Sequence, residues 1–350
     1  MKNILEICLS PDLGGLELHM NNIASYLDAT IVVAKNSKLE NVLKKEGIKH
    51  FAISRYGIFQ LAKLIDSHTI DVLHLHWTKD IPIIVAAKLL SKRKPKIIQT
   101  RHMHMTRFKN DFYHKFLYKN IDTMIAVTNL VKEQLEKFIP QDIRPKIQTC
   151  HIGANTPEIL STYDKENLKN RLGINNKFIV CIVGRIEQAK GQHIVLEAVE
   201  KLRLSGINAK VLVVGHFMDE GYFNNLKQSY PNDIFTGFVN NPTDYMQICD
   251  CVVLATKKET FGLVLIEAMK SGICVLGSNS GGPLEIIDDG ENGLLFESMN
   301  SEDLYQNLTI IANNQELKNK LANNGKIKAD ELFDRKKQFG KMKKIIKDFA

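Results

Sequence analysis

Two short segments, far apart in the chain, hold the residue types that a diphosphate and a sugar need. Gly184-Arg185-Ile186-Glu187-Gln188-Ala189-Lys190-Gly191 places two cations between glycines, just after an apolar run ending at Val183. Arg grips two phosphate oxygens at once, and Lys adds a mobile point charge. The glycines let the backbone turn and approach a ligand. Further on, Glu259-Thr260-Phe261-Gly262-Leu263-Val264-Leu265-Ile266-Glu267 sets two carboxylates around a glycine that can open a helix. The amides of Gly262 and Leu263 would then be unpaired donors at a positive helix end, suited to phosphate. Glu259, in the loop before them, can accept from sugar hydroxyls, and Glu267 can reach a ribose diol. Taken singly, the cations also read as surface charge, and the acids as a solvated helix face.

Other strand-to-helix loops support the ligand reading. Ser278-Asn279-Ser280-Gly281-Gly282-Pro283-Leu284-Glu285 puts a proline in a first helical turn and an acid at its positive end. Ser10-Pro11-Asp12-Leu13-Gly14-Gly15-Leu16-Glu17 would expose glycine amides. It is not Gly-x-Gly-x-x-Gly, so a dinucleotide reading fails there. Arg101-His102-Met103-His104 follows another strand, where His102 is placed to meet a sugar hydroxyl or a developing charge. His74 and His76 read as structural. No histidine–acid spacing in the sequence resembles a metal site.

The elements that must position these loops are strands alternating with helices. Apolar runs at Ile4–Leu9, Thr30–Ala34, Val72–His76, Ile97–Thr100 and Thr123–Val127 are followed by helical patterns such as Leu16–Leu27, Ile81–Leu90 and Asn129–Phe138. Thr128 is placed to cap the last of these. A second series runs Phe178–Val183, Lys210–Val214, Ile234–Phe235, Cys251–Leu254 and Cys274–Gly277. The expected fold is α/β: two doubly wound, Rossmann-like domains facing across a cleft. Residues 1–160 form the first and 161–330 the second. Residues 331–350 form a closing helix whose stripe Phe339, Met342, Ile346 and Phe349 packs back toward the first, with lysines on the solvated side. A membrane-surface helix is the alternative for that stripe.

At 350 residues, 44% apolar and 25% charged, the composition is that of a soluble globular protein of two domains. No run approaches the roughly 18 apolar residues of a spanning helix, and no secretory signal is evident. The six cysteines lie mostly in strand-like runs without zinc spacing and read as buried thiols in a reducing cytosol. The net charge of +8 is uneven. Residues 1–160 carry 23 Lys and Arg against 15 Asp and Glu, while the rest carry 24 of each. Between Lys88 and Lys119, ten basic residues face only Asp111, interleaved with Phe108, Phe112, Tyr113, Phe116 and Tyr118.

In this order, the motifs resemble the retaining glycosyltransferases of family 4, which have the GT-B fold. The combination is Gly-Arg-x4-Lys-Gly, then Gly237-Phe238-Val239, then Glu-x7-Glu enclosing Phe-Gly-Leu, then Gly-Gly-Pro-x-Glu. The resemblance is strongest from Phe178 to Phe296. It implies that Arg185 and Lys190 bind the donor diphosphate, Glu259 the donor sugar and Glu267 the ribose. Gly262 and Leu263 would offer amides to phosphate, with Phe261 beside them in the donor site. Val239 would meet the base through its backbone, and Gly15 would approach the donor. Arg101 and His102 would serve the acceptor, with His102, Glu259, Arg185 and Lys190 carrying the reaction. Ala255-Thr256 stands where relatives have Pro-Ser, and Arg101 where many have a small or aliphatic residue.

The implied reaction transfers a hexose from a UDP or GDP sugar to a glycan or lipid-linked acceptor, with no cofactor and no metal. Surface polysaccharide, lipopolysaccharide or glycolipid synthesis would be its setting. The location implied is the cytoplasm, peripheral to the inner membrane if 88–119 binds an anionic surface. A GT-B sugar-nucleotide epimerase is the alternative. Nucleic-acid binding through the basic segment is the remote one, because it leaves Arg185, Lys190 and both glutamates unexplained. No nucleic acid is expected as a partner.

Overall fold

The computed structural model describes residues 2–349, with the side chain of Phe349 outside the description. The chain forms two compact units, residues 1–151 with 337–350, and residues 152–336. The first contains a seven-stranded parallel sheet. Its strands are β1 (Ile4–Cys8), β2 (Thr30–Ala34), β3 (Phe51–Ile53), β4 (Val72–Leu75), β5 (Lys96–Arg101), β6 (Thr123–Ala126) and β7 (Lys146–Thr149). They lie in the order β3-β2-β1-β4-β5-β6-β7. The second contains six parallel strands: β8 (Phe178–Val183), β9 (Ala209–Val214), β10 (Ile234–Phe235), β11 (Cys251–Leu254), β12 (Cys274–Ser278) and β13 (Leu294–Phe296). Their order is β10-β9-β8-β11-β12-β13.

Both sheets have the expected doubly wound form. Central strands are covered by helices on both faces, which is why they read as continuous apolar runs. The helices Ile81–Leu90 and Asn129–Phe138 fall where the periodicity puts them. Thr128 Oγ1 accepts from the Val131 amide at 3.1 Å and caps the second. The strands β3 and β7 do not stand out in the sequence. Both are edge strands, and β3 has three residues of which Phe51 and Ala52 are exposed.

In each sheet the order of growth reverses once. From β1 the chain adds β2 and β3 on one side, then returns to place β4 on the other. From β8 it adds β9 and β10, then returns to place β11. Loops at the carboxyl ends of β1 and β4, and of β8 and β11, therefore diverge and leave a crevice, the standard ligand position in open α/β sheets.

The division falls at residues 151 and 152 rather than at 160. Residues 152–160 are bonded into the second unit: Ala154 donates its amide to Phe333 O at 2.9 Å. Gln247 accepts from the Leu160 amide at 2.9 Å and donates to Glu158 O at 2.8 Å. At the other end, the helix Arg335–Phe349 carries its apolar stripe into the first unit. Phe339, Met342 and Ile346 are buried with Ile23, Val72, Ile98 and Ile125, each contributing roughly 1.5–3 kcal/mol by its burial. That leaves no apolar stripe for a membrane among these three. The side chain of Phe349, expected in the same stripe, lies outside the described residues. All six cysteines are free and buried, and burial pushes the Cys150 thiol up to about 11.

Candidate functional site

In the second unit, three loops at the carboxyl ends of neighbouring strands come together. The loop after β8 holds Arg185 and Lys190, and that after β11 holds Glu259 to Leu263. Lys190 Nζ lies 3.2 Å from Glu259 Oε2, with both side chains partly buried. The Lys257 amide donates to Ala189 O at 3.2 Å, so backbone as well as charge ties the two loops. The loop after β12 joins through the Gly282 amide, which donates to Glu259 O at 2.9 Å. Gly281 has φ +73°, and a Cβ there would stand 2.1 Å from Glu259 O. Only glycine allows that approach.

Arg185 is the most open member. Its guanidinium lies 3.2 Å from Glu187 Oε1, and its side chain is 55% exposed. Gln192 donates to the Arg185 carbonyl at 2.9 Å and fixes the turn beneath it. Gly262 precedes the helix Leu263–Lys270 with φ +101° and no side-chain cap. The first amides of that helix thus stand at its positive end as donors. Val239 packs part-buried on the core, in the loop after β10. The neighbouring Gly237 accepts from the Gly215 amide at 3.1 Å, which draws that loop to the end of β9.

Two expected site residues have other employment. Phe261 is a core residue, 4% exposed, and packs edge-on to Phe333 with ring centres 5.9 Å apart. Its side chain anchors the loop instead of facing a ligand. Arg101, in the first unit, is 7% exposed. Its guanidinium donates to Met103 O at 2.7 Å, Thr78 Oγ1 at 2.5 Å and His104 O at 2.8 Å. It is a clamp on the loop that follows it, with three of its five N–H donors engaged.

Glu267 lies on the second turn of the helix Leu263–Lys270. By area it is only partly covered, yet the atoms around it are dense enough that burial pushes its carboxyl up to about 7, against the pull of Arg335. A carboxylate needing donors there matches a diol, whose hydroxyls favour the charged form.

In the first unit, Gly14 caps and Gly15 opens the helix Gly15–Leu27. A Cβ on Gly15 would meet nothing within 4 Å. His102 follows β5 and lies 3.1 Å from His76 through ring nitrogens. His76 and His74 both bond the buried Glu6, at 2.7 and 2.8 Å. Glu6 does not stand out as a site residue in the sequence, where His74 and His76 read as structural. The available signal was an acid inside an apolar strand, because a buried charge needs a partner. Its partner depended on the pairing of β1 with β4, which sets Glu6 opposite His74. By distance, His19, His76 and His102, or Glu6, His74 and His76, are close enough to hold a metal ion. In the second group the nitrogens already bond the carboxylate.

The chain is similar in sequence and in fold to glycosyltransferases. The family "Glycosyl transferases group 1" matches residues 164–328, and "Glycosyl transferase 4-like" matches 6–129. The chain belongs to the group 1 glycosyltransferases. An uncharacterised glycosyltransferase of Methanocaldococcus jannaschii is 27% identical, over 93% of this chain and 92% of its own. The N-acetyl-alpha-D-glucosaminyl L-malate synthase of Bacillus anthracis is 27% identical, over 70% and 69%. The Staphylococcus aureus capsular polysaccharide glycosyltransferase CapM is 24% identical, over 71% and 68%. Among solved structures, Anabaena HepE in complex with UDP and glucose aligns with TM-score 0.86 at 20% identity, over 99% of this chain and all of that one. A Rickettsia africae glycosyltransferase aligns with TM-score 0.87 at 23% identity, over 99% and 98%. The fold is therefore GT-B, and the relatives include enzymes of polysaccharide and glycolipid synthesis.

Two measurements follow. Gly15→Ala removes no backbone freedom that φ requires and meets no neighbour, so melting should be unchanged or slightly higher while nucleotide-sugar turnover falls. Unchanged turnover would show that no ligand approaches Gly15. The raised pKa of Glu267 means that the folded state binds more protons than the unfolded one between about 4.5 and 7. The stability that its protonated form contributes is therefore lost as pH rises across that window. A diol ligand would draw the proton off, so nucleotide affinity by calorimetry should climb from pH 5 to 7 more steeply in the wild type than in Glu267→Gln. Equal slopes would remove Glu267 from the ligand.

Proposed function

We propose that this glycosyltransferase moves a hexose, with retention at the anomeric carbon, from a UDP or GDP sugar to a glycan or lipid-linked acceptor. Surface polysaccharide, lipopolysaccharide or glycolipid assembly is the setting. The observation that carries the reading is the Lys190–Glu259 pair at the β8–β11 crevice, 3.2 Å apart, beside the uncapped helix after Gly262. A leaving diphosphate needs cations and oriented amides, and a sugar needs a carboxylate. This crevice joins all three. HepE, which shares the fold, is described with UDP and glucose, and with UDP-glucose.

In this mechanism Arg185 and Lys190 neutralise charge as the sugar–phosphate bond lengthens, with the Gly262 and Leu263 amides adding fixed dipoles. Glu259 orients the sugar through its hydroxyls and Glu267 holds the ribose. His102 binds a hydroxyl of the sugar. The acceptor attacks on the face that the diphosphate leaves, and a phosphate oxygen takes its proton. Cationic side chains supply the charge here, so the chemistry needs no metal.

The first unit supplies the acceptor side. Among the ten cations of 88–119, Arg93 pairs with Asp71, and Lys88 and Lys96 share Asp122. What remains is a narrower patch, where Met103, Phe108, Phe112, Tyr113 and Phe116 are exposed beside Arg107 and Lys119. Exposed rings next to these cations, which have no ion pair among the described residues, suit an anionic bilayer. Among the described residues no helix is long and apolar enough to cross a membrane.

Arg185→Ala and Lys190→Ala should each lower kcat by roughly 30- to 1,000-fold, about 2–4 kcal/mol of transition-state stabilisation, with turnover surviving EDTA. Wild-type rates in both variants would refute the diphosphate role. NMR of the product reads the anomer, and epimerised sugar from donor alone would favour the epimerase instead. In sedimentation assays the protein should pellet with anionic vesicles and not with neutral ones, and Phe112→Ser should weaken the effect. Equal failure with both vesicles would remove the membrane from the scheme.

A further inference from the structure

Between β1 and β4 lies a buried chain of polar groups that the reading above leaves without a task. Glu6, His74 and His76 are each at most 1% exposed. Glu6 Oε1 faces His74 Nδ1 at 2.8 Å, and Oε2 faces His76 Nε2 at 2.7 Å. His74 closes its far side on Thr100 Oγ1 at 2.8 Å. His76 turns its other nitrogen, Nδ1, to His102 Nε2 at 3.1 Å. The ring of His19 stands edge-on to both, at 5.8 and 5.1 Å between centres.

The protons on this chain can be counted. An ionised carboxylate only accepts, so the nitrogens facing Glu6 are both N–H donors. Burial, with His74 adding to it, holds the His76 ring well below the ordinary histidine range. Burial does the same to His102, helped by His19, His76, His74 and Arg101. Each ring is then neutral near pH 7 and carries one proton. The proton of His76 is spent on Glu6 through Nε2, so its Nδ1 is a bare acceptor. His102 Nε2 must be the donor in the 3.1 Å contact, and that uses its one proton. The remaining nitrogen, His102 Nδ1, is a lone pair without a hydrogen-bond partner among the described residues, on a residue of intermediate burial.

We propose that Glu6 and His76 are positioning residues that lock His102 in its Nε2–H tautomer and so offer Nδ1 as a hydrogen-bond acceptor to a hydroxyl of the bound sugar. The assignment of a sugar ligand rests on the transferase reading. The tautomer lock does not. Without the relay, His102 could take either tautomer, and the one with Nδ1–H would set two donors face to face against a hydroxyl that needs to donate.

Long-range proton–nitrogen NMR of the imidazoles in the full chain tests this directly. At pH 7 both His76 and His102 should carry their proton on Nε2 and show an unprotonated Nδ1. A His102 protonated at Nδ1, or at both nitrogens, would overturn the relay. So would one equivalent of zinc retained through purification by His19, His76 and His102, since a cation would take the nitrogens the shared proton needs. In His76→Phe, the His102 signals should become a mixture of tautomers. Its kcat should fall roughly tenfold, the worth of one hydrogen bond, with donor KM within about twofold. If folded His76→Phe keeps the tautomer and kcat, the relay is wrong. If the variant does not fold, the wild-type spectrum still decides. That spectrum needs no substrate. A wild type that turns over no nucleotide sugar would sink the transferase reading and the hydroxyl ligand, whereas a wrong tautomer in an active enzyme sinks the relay alone.

Discussion

In a parallel sheet that grows first to one side and then to the other, the two strands flanking the reversal send their following helices to opposite faces. The loops above them part, and the sheet cannot close that gap by itself. Here the reversal occurs twice, between β1 and β4 and between β8 and β11. The candidate site residues of each unit collect at that place. Gly15 and the Glu6–His76–His102 chain sit on the first pair, and Arg185, Lys190 and Glu259 on the second. Strand order decides where a ligand can sit, and loop sequence only decides which.

The two crevices solve the problem of charge in opposite ways. In the second unit the ions remain partly wet, with Lys190 at 27% and Glu259 at 20% exposure. Pairs of that kind are worth little as stability but stand ready to trade partners with an incoming ligand. In the first unit Glu6 is wholly buried and satisfied by two imidazoles. A carboxylate taken out of water costs several kcal/mol unless both oxygens find donors. The arrangement is rigid for that reason: neither ring can turn without stranding a charge.

Much of this was legible in the sequence. Thr30–Ala34, Phe178–Val183, Ile81–Leu90 and Asn129–Phe138 are bounded in the structure as their periodicity says, since buried parallel strands and amphipathic helices carry their own signals. The three loops of the second unit were readable because each sits directly after such a strand. Short-range spacing could not reveal what a side chain meets. Phe261 has a loop's neighbours in sequence and a core's neighbours in space, against Phe333. Arg101 looks like a free cation until its three acceptors are seen. Glu6 and His74 lie opposite each other through a strand register, Glu6 to His74, that no local pattern states. The edge strands β3 and β7 escaped for a related reason: half-exposed strands lack the unbroken apolar run.

The last helix adds a constraint of time. Phe339, Met342 and Ile346 finish a core begun by Ile23, Val72, Ile98 and Ile125. As the chain leaves the ribosome, that face of the first sheet stays open while all of residues 152–336 are made. The second unit has every strand it needs before the first has its final wall. The half of the protein synthesised first is therefore the half completed last, and through that interval an apolar sheet face is left open to water.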